Sequence, residues 1–327
     1  MRSARFYGIH DIRFEETEKP ACGAAEVLIR VQYAGICGSD LHIYNQGMFI
    51  QHIPETMGHE FVGIVEETGS AVSGFAEGDC VTANPMVPCM ACESCRAGSY
   101  NTCENLSFIG ECRPGCFAEY LVMPADTLIR IPDGTDLRLA ALTEPLAVAL
   151  NICRRAAFQP GDRVAVMGAG PIGLLTLLAA RALYGVTDLT AVDLSEARRA
   201  LAEQVGAAQA AAALDGTYDK IVDAAGVPAT CGAALSHVRA NGAVYVVSIF
   251  EKLPAIDIND IVAKQIALVG CNVYTRRDLE EAAQAIAEGR IDVGPLISRV
   301  YDIADCGTAF QAAASADRTM AKILLRP

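Results

Sequence analysis

Four cysteines, Cys89, Cys92, Cys95 and Cys103, fall within fifteen residues, separated by two, two and seven others. Thiolates at that spacing can close a tetrahedral zinc site without a histidine or a water. Pro88, Gly98 and Asn101 punctuate the run, so it reads as a loop folded around a metal ion. With every coordination position taken, such an ion is structural and offers no place to a substrate. Whatever fold the chain adopts must therefore carry a metal-held lobe beside its main elements.

At 327 residues the chain has length for two domains, each with its own core. Its formal net charge of −13 speaks against nucleic acid or an anionic membrane as partner. With no basic stripe either, the cysteine run does not read as a zinc finger. The thirteen cysteines are an odd number with four at metal spacing. That pattern fits reduced thiols in a cytoplasmic protein better than a disulfide framework. Cys22, Cys80, Cys112, Cys116, Cys153, Cys231, Cys271 and Cys306 have no partner at metal spacing and stay unassigned. The first ten residues lack the apolar core and cleavage-like tail of a signal peptide. One uncharged stretch, 164–180, approaches membrane-spanning length, but Gly168, Gly170, Pro171 and Gly173 near its start would break a spanning helix. A buried strand turning into a buried helix explains it, and a soluble protein is expected.

Up to residue 147, short apolar runs (Val27–Val31, Phe61–Glu66, Cys80–Thr82, Phe117–Met123) are separated by Gly, Pro and Asp, which predicts a β-rich domain. From Gly161 strand and helix patterns alternate. Strands are predicted at Val164–Met167, Leu189–Asp193, Lys220–Asp223 and Ala243–Val247, with helices at Ile172–Leu183, Ser195–Gln204 and Thr230–Val238. Such alternation gives an α/β unit, a parallel sheet covered on both faces. Ala267–Gly270 reads as a further strand, a helix follows over Arg277–Ala287, and the tail from Leu296 is expected to rejoin the first domain. The division is therefore 1–147, 148–272 and a return over 273–327.

Between the Val164 strand and the next helix lies Gly168-Ala-Gly170-Pro171-Ile172-Gly173. In this G-x-G-x-x-G pattern Gly168 permits a tight turn, Gly170 lets backbone amides approach a pyrophosphate, and Gly173 allows close helix–strand packing. Pro171 and Ile172 open the helix, whose N-terminal N–H groups favour phosphate. Asp193 ends the next strand, twenty residues beyond Gly173, where a carboxylate accepts bonds from ribose hydroxyls and repels a 2′-phosphate. NAD is expected over NADP. Asp193 could instead cap the following helix, a task open equally to Ser195. Arg198 or Arg199 could lie over the adenine, or both could be solvated helix arginines.

The segments Gly35-Ile-Cys37-Gly-Ser39-Asp40-Leu-His42 and Gly58-His59-Glu60, together with Glu144, supply the ligand types of a second metal site. In the same order as the four-cysteine lobe and the Gly168 turn, they resemble the medium-chain zinc-dependent alcohol dehydrogenase family. The resemblance covers nearly the whole chain. It implies a GroES-like catalytic domain joined to a doubly wound Rossmann domain, with two zinc ions per chain and NAD. By position Cys37, His59 and Glu60 match the family's catalytic zinc ligands, and Ser39 and His42 its proton relay; Asp40 would orient a ligand. The stretch Glu144-Pro-Leu-Ala-Val-Ala-Leu-Asn-Ile-Cys-Arg-Arg155 looks like the polyol (sorbitol-type) and butanediol dehydrogenase branch, where a glutamate replaces a thiolate. Glu144 would bind zinc directly or hold its water. The same resemblance implies a homo-oligomer, dimer or tetramer, in the cytoplasm.

The implied reaction is oxidation of a secondary alcohol, a polyol or vicinal diol, to a ketone. An open zinc site favours the alkoxide, hydride moves to nicotinamide, and the proton leaves through a hydroxyl and an imidazole. Gly115-Cys-Phe-Ala-Glu-Tyr120 is similar to threonine dehydrogenases, which keeps an L-threonine 3-dehydrogenase open. A non-catalytic redox- or zinc-responsive protein that merely binds NAD is the rival of another class; the presence of Cys37, Ser39 and His59 weighs against it. Sorbitol-type relatives carry an Arg-Tyr pair that falls at Val273-Tyr274 here, so the arginine is missing unless Arg276 or Arg277 compensates. That tilts the expected substrate toward shorter diols.

Overall fold

The computed structural model describes residues 1–315 and 319–327. The first domain is built on the Glu26–Gly35 strand, which pairs antiparallel with Glu60–Thr68, Tyr120–Pro124 and Lys322–Arg326. Register shifts at Leu28/Ile29 and Val31/Tyr33 bend this strand, as an extra residue on one side of a ladder does. The sheet curls over a core that includes Phe6, Phe61, Phe117 and Phe310. From the tail, Ile297–Asp302 and Lys322–Arg326 form a parallel pair that joins this sheet.

The second domain is a six-stranded parallel sheet in the order Gln209–Ala211, Asp188–Val192, Arg163–Met167, Tyr218–Asp223, Val238–Val246, Ala267–Gly270. Numbered along the chain within the domain this is 3-2-1-4-5-6, the doubly wound order, with its reversal between Arg163–Met167 and Tyr218–Asp223. Val164, Ala165 and Val166 are fully buried, which is why that strand reads as an unbroken apolar run. The Thr143–Ala156 helix contributes Leu146, Leu150 and Ile152 to the core shared with the Pro171–Tyr184 helix. Residue 147, the boundary expected from the sequence, lies within this helix.

Two differences from the sequence pattern have plain causes. The Gln209–Ala211 strand is absent from the predicted set because its alanine-rich sequence has no β preference; pairing with Asp188–Val192 makes it a strand. The helix predicted from Thr230 starts at Pro228, in the first turn where a missing N–H costs nothing, and ends at His237, where the Val238–Val246 strand begins at once.

Candidate active site

Cys37 leaves the end of the Glu26–Gly35 strand and caps the Gly38–Gln46 helix. Its N–H donates to Asp40 Oδ2 at 2.8 Å, which fixes the backbone that carries the thiol. His59 and Glu60 enter through a left-handed Gly58 (φ 94°), where a Cβ would come within 2.5 Å of the Phe117 ring. Only glycine fits that turn. One ligand atom each of Cys37, His59 and Glu60 lies within 4.8 Å of the others. Asp40 Oδ1 is buried without a hydrogen bond and faces His59 Nδ1 at 3.9 Å. It thereby favours the proton on Nδ1 and leaves Nε2 for a metal. Burial works against the charged imidazole of His59, yet Asp40, Cys37 and Glu144 outweigh it and raise its pKa. Such a converging anionic set, with a buried orienting carboxylate, suits a divalent cation of zinc's character.

The two carboxylates differ. Glu60 is 1% exposed and is clasped by Lys322, whose Nζ donates to Oε2 at 2.7 Å and Oε1 at 2.8 Å, and also to Ile36 O at 3.1 Å. Glu144, in the first turn of the Thr143–Ala156 helix, stands outside the 4.8 Å group but lines the same cavity. Burial, with Glu60 adding its negative charge, pushes the Glu144 carboxyl up to about 7 against the pull of His59. The hydroxyl of Tyr274, fully buried and without a well-formed bond, acts on it.

The lobe closes as its spacing requires. The Sγ atoms of Cys89, Cys92, Cys95 and Cys103 lie within 4.8 Å of one another. Backbone N–H groups point at the sulfurs: Cys89 N at Cys103 Sγ (3.2 Å), Cys92 N at Cys89 Sγ (3.4 Å), Cys95 N at Cys92 Sγ (3.5 Å). Bonds from Ala91 and Cys92 hold the Cys89 thiol down to about 6, whereas desolvation and its neighbouring thiols push Cys95 up to about 12. A full set of thiolates is thus reached only against a metal, and the residues fit zinc. None of the other nine cysteines is in a disulfide.

Two zinc ions per chain are expected by elemental analysis of metal-replete protein, and Cys92→Ser should lose one of them together with the order of the lobe. A raised carboxyl such as Glu144 favours the metal-free fold when protonated, and that contribution fades as pH climbs through about 7. Zinc uptake by metal-depleted protein at the open site should therefore strengthen between about pH 6 and 8. Uptake that is flat across this range would refute a part for Glu144.

A groove of about 1210 Å³ runs over the carboxyl ends of the parallel strands, lined by Gly168, Gly170, Asp193, Ser195 and Arg198. Gly168 is left-handed (φ 92°), with Ala224 only 2.9 Å from where a Cβ would stand. A Cβ on Gly173 would collide with Gly168 O, whereas Gly170 has open space beyond Arg198 at 3.8 Å. Pro171 begins the helix with Gly170 as its cap, and Ile172 lines the cavity that holds Glu144 instead. Asp193 accepts from Ala169 N and from Ser195 N, both at 2.9 Å, and so stands between the glycine turn and the next helix. Ser195 is the cap there, accepting from Arg198 N at 3.4 Å. Arg198 Nη1 stands 3.9 Å from Asp193 Oδ2, and Arg199 is spent on the carbonyls of Asp193 and Leu194.

The cavity lined by Glu144, about 830 Å³, meets this groove at Ala224, Ala225 and Val227. Cys37, Ser39, His42, His59, Glu60 and Glu144 all line it. Ser39 Oγ is 3.5 Å from His59 Nε2, and His42 Nδ1 is 3.0 Å from Glu251 Oε1, a residue of the second domain reaching across the cleft. Val273 lines the wall with φ 47°, a conformation costly for a β-branched residue. Asn151 Nδ2 donates to Val273 O at 2.8 Å, and Asn272 Nδ2 to Asn101 O, in the cysteine lobe, at 3.0 Å. Among the described residues neither candidate takes the place of the missing arginine: the Arg276 guanidinium binds Glu280 and the carbonyls of Asp126 and Leu128, and Arg277 is not among the lining residues. Lys322, Glu251 and Asn151 are contributions that the sequence alone gave no sign of.

The family descriptions "Alcohol dehydrogenase GroES-like domain" and "Zinc-binding dehydrogenase" match residues 23–133 and 171–288. The chain is 34% identical to the 2-dehydro-3-deoxy-L-galactonate 5-dehydrogenase of Pseudoalteromonas atlantica, over 95% of this chain and 94% of that one. It is 33% identical to the D-xylulose reductase A of Aspergillus niger, over 93% and 91%. Among solved structures it is similar to the 2R,3R-butanediol dehydrogenase of Bacillus subtilis, with a TM-score of 0.92 and 34% identity over 100% and 99% of the two chains. A zinc-binding dehydrogenase of Sinorhizobium meliloti, bound to NADP, gives a TM-score of 0.93 and 32% identity over 100% and 99%.

Proposed function

We propose, from the premise that the chain belongs to the zinc-dependent medium-chain dehydrogenases, oxidoreductases acting on CH–OH groups, that it oxidises a secondary alcohol with a neighbouring hydroxyl to the ketone, with NAD as acceptor. The observation carrying this reading is one cavity that gathers Cys37, Ser39, His42, His59, Glu60 and Glu144 and opens onto the dinucleotide groove. Zinc, held by Cys37, His59 and a carboxylate, would supply the Lewis acidity that makes the alcohol a stronger acid, and NAD would supply the hydride acceptor. The chain's residues position and move the proton. Ser39, inside the cavity, takes it from the alcohol as its own hydroxyl proton leaves toward His42, which passes it outward. Glu251 fixes the His42 proton on Nδ1 and leaves the other nitrogen to exchange. Glu144, lacking the lysine that neutralises Glu60, is the carboxylate available to the ion or to a substrate hydroxyl.

NAD is preferred because the Asp193 carboxylate occupies the ribose end of the groove, although the Sinorhizobium relative holds NADP. No helix of the described residues is long and apolar enough to cross a membrane. Thirteen unpaired thiols support a reducing, cytoplasmic setting. A homo-oligomer is supported by the open sheet edge at Ala267–Gly270, where Leu268 is exposed, and by the exposed Ile258 and Val262 of the preceding helix.

The test is kcat/KM over short vicinal diols, sugar alcohols, ethanol and threonine, each with NAD and NADP. A vicinal secondary alcohol with NAD is expected to lead. Greater efficiency with ethanol or threonine than with every diol and polyol, or with NADP than with NAD, would sink it.

A further inference from the structure

One buried carboxylate in the catalytic cavity belongs neither to the candidate ligands nor to the relay. Glu111 follows the Ser107–Phe108 strand, is 9% exposed, and lines the cavity with Cys37, His59 and Glu144. Its backbone is held on both sides: its N–H donates to Phe108 O at 3.2 Å and its carbonyl accepts from Gln51 N at 2.9 Å. The preceding Gly110 is left-handed (φ 81°) and packs so tightly on Gly58 that a Cβ would come within 2.6 Å of Gly58 N. The turn carrying Glu111 is therefore seated against the turn that carries His59. Its place in the cavity is built in.

The carboxylate itself is poorly served. Ser107 Oγ donates to Oε2 at 3.5 Å, the outer limit of a hydrogen bond, and among the described residues no lysine or arginine pairs with it. A buried carboxylate with so few partners is costly unless something else completes its bonds. Burial raises its pKa, against the pull of His59. Around it the cavity is short of positive charge. Glu144 and Glu251 also line it, Lys322 is spent on Glu60, and Lys252 is the one lysine or arginine among the lining residues.

We propose that Glu111 is a specificity-determining residue: it accepts a hydrogen bond from a substrate hydroxyl other than the one oxidised, and its charge selects neutral polyhydroxy alcohols over anionic ones such as sugar acids and sugar phosphates. This rests on the dehydrogenase reading above. A hydroxyl provides the donor that Glu111 lacks. A substrate carboxylate or phosphate brings a third negative charge beside those of Glu111 and Glu144, and like charges so close repel.

The experiment compares a five-carbon polyol with the aldonate of equal length, as substrates and as competitive inhibitors, for wild type, Glu111→Gln and Glu111→Ala, each checked for zinc content. Wild type should favour the polyol over the aldonate by about tenfold or more, and Glu111→Gln, which keeps an acceptor but no charge, should shrink that ratio about tenfold, the equivalent of one charge contact. Glu111→Ala should raise the polyol KM more than it lowers kcat, since the lost bond is made before the chemistry. The inhibition constants of wild type alone should rank the neutral compound ahead of the aldonate, which keeps the idea testable if a variant folds poorly. A wild type that prefers the aldonate, or a ratio unmoved in zinc-replete Glu111→Gln, overturns the role of Glu111 while leaving the dehydrogenase reading intact. A wild type that oxidises no alcohol at all overturns that reading, and this one with it.

Discussion

Ser39→Ala is expected to lower kcat for alcohol oxidation by about 10²–10⁴-fold, the usual worth of a positioned proton-transfer group. The hydroxyl lies in the cavity wall, and its hydrogen-bond contact with His59 Nε2, at 3.5 Å, is too long to hold the fold together. Zinc content, melting temperature and NAD affinity should therefore stay close to wild type. The loss should fall on kcat, because the hydroxyl acts on the reacting proton and not on substrate affinity. Pre-steady-state traces with a deuterated alcohol would decide the matter. A variant with near-normal kcat and a full primary isotope effect would exclude Ser39 from proton transfer.

Lys322→Met should destabilise the protein by about 3–5 kcal/mol, the cost of leaving one member of a buried ion pair without its partner. Lys322 and Glu60 are each about 1% exposed, and the ammonium also satisfies Ile36 O, so water cannot replace it cheaply. Urea unfolding of metal-depleted protein is the measurement, since a bound cation would partly stand in for the missing charge. Adding Glu60→Gln to Lys322→Met should recover much of the loss, because the two changes share one interaction. A single variant within about 1 kcal/mol of wild type would show that Glu60 is neutralised in some other way.

What could be read from the sequence was local. The strand, glycine turn, helix and Asp193 of the dinucleotide groove lie within about thirty residues, and each position has a steric or electrostatic reason that spacing alone reveals. The cysteine lobe is as compact. Cys37 and His59 were readable because their neighbours, Asp40 and Gly58, belong to the same short turns. The companions of those residues were not. Lys322 reaches Glu60 across 262 positions and sits at the head of an apolar strand, where a lysine ordinarily reads as a surface residue. Glu251 meets His42 only because a loop of the second domain crosses the cleft. Gln209–Ala211 shows the same limit in the fold, an alanine-rich stretch made a strand by its neighbour. Pairings that depend on how two domains settle leave no periodic trace in either segment.

The two bonds between Asn101 in the cysteine lobe and Asn272 beside the strained Val273, in which each side-chain amide donates to the other's backbone carbonyl, have an evolutionary reading. A backbone held in a conformation worth on the order of 1–3 kcal/mol persists only while its surroundings insist on it. Here part of that insistence comes from a lobe that touches no reacting atom. Drift at Asn101, or in the loop between Cys95 and Cys103, can reshape the wall that faces the alcohol while every ligand and relay residue stays as it is. Lineages sharing this scaffold thus have a route to new substrates that leaves the chemistry untouched, and a comparison of ligands alone would not reveal that they had taken it.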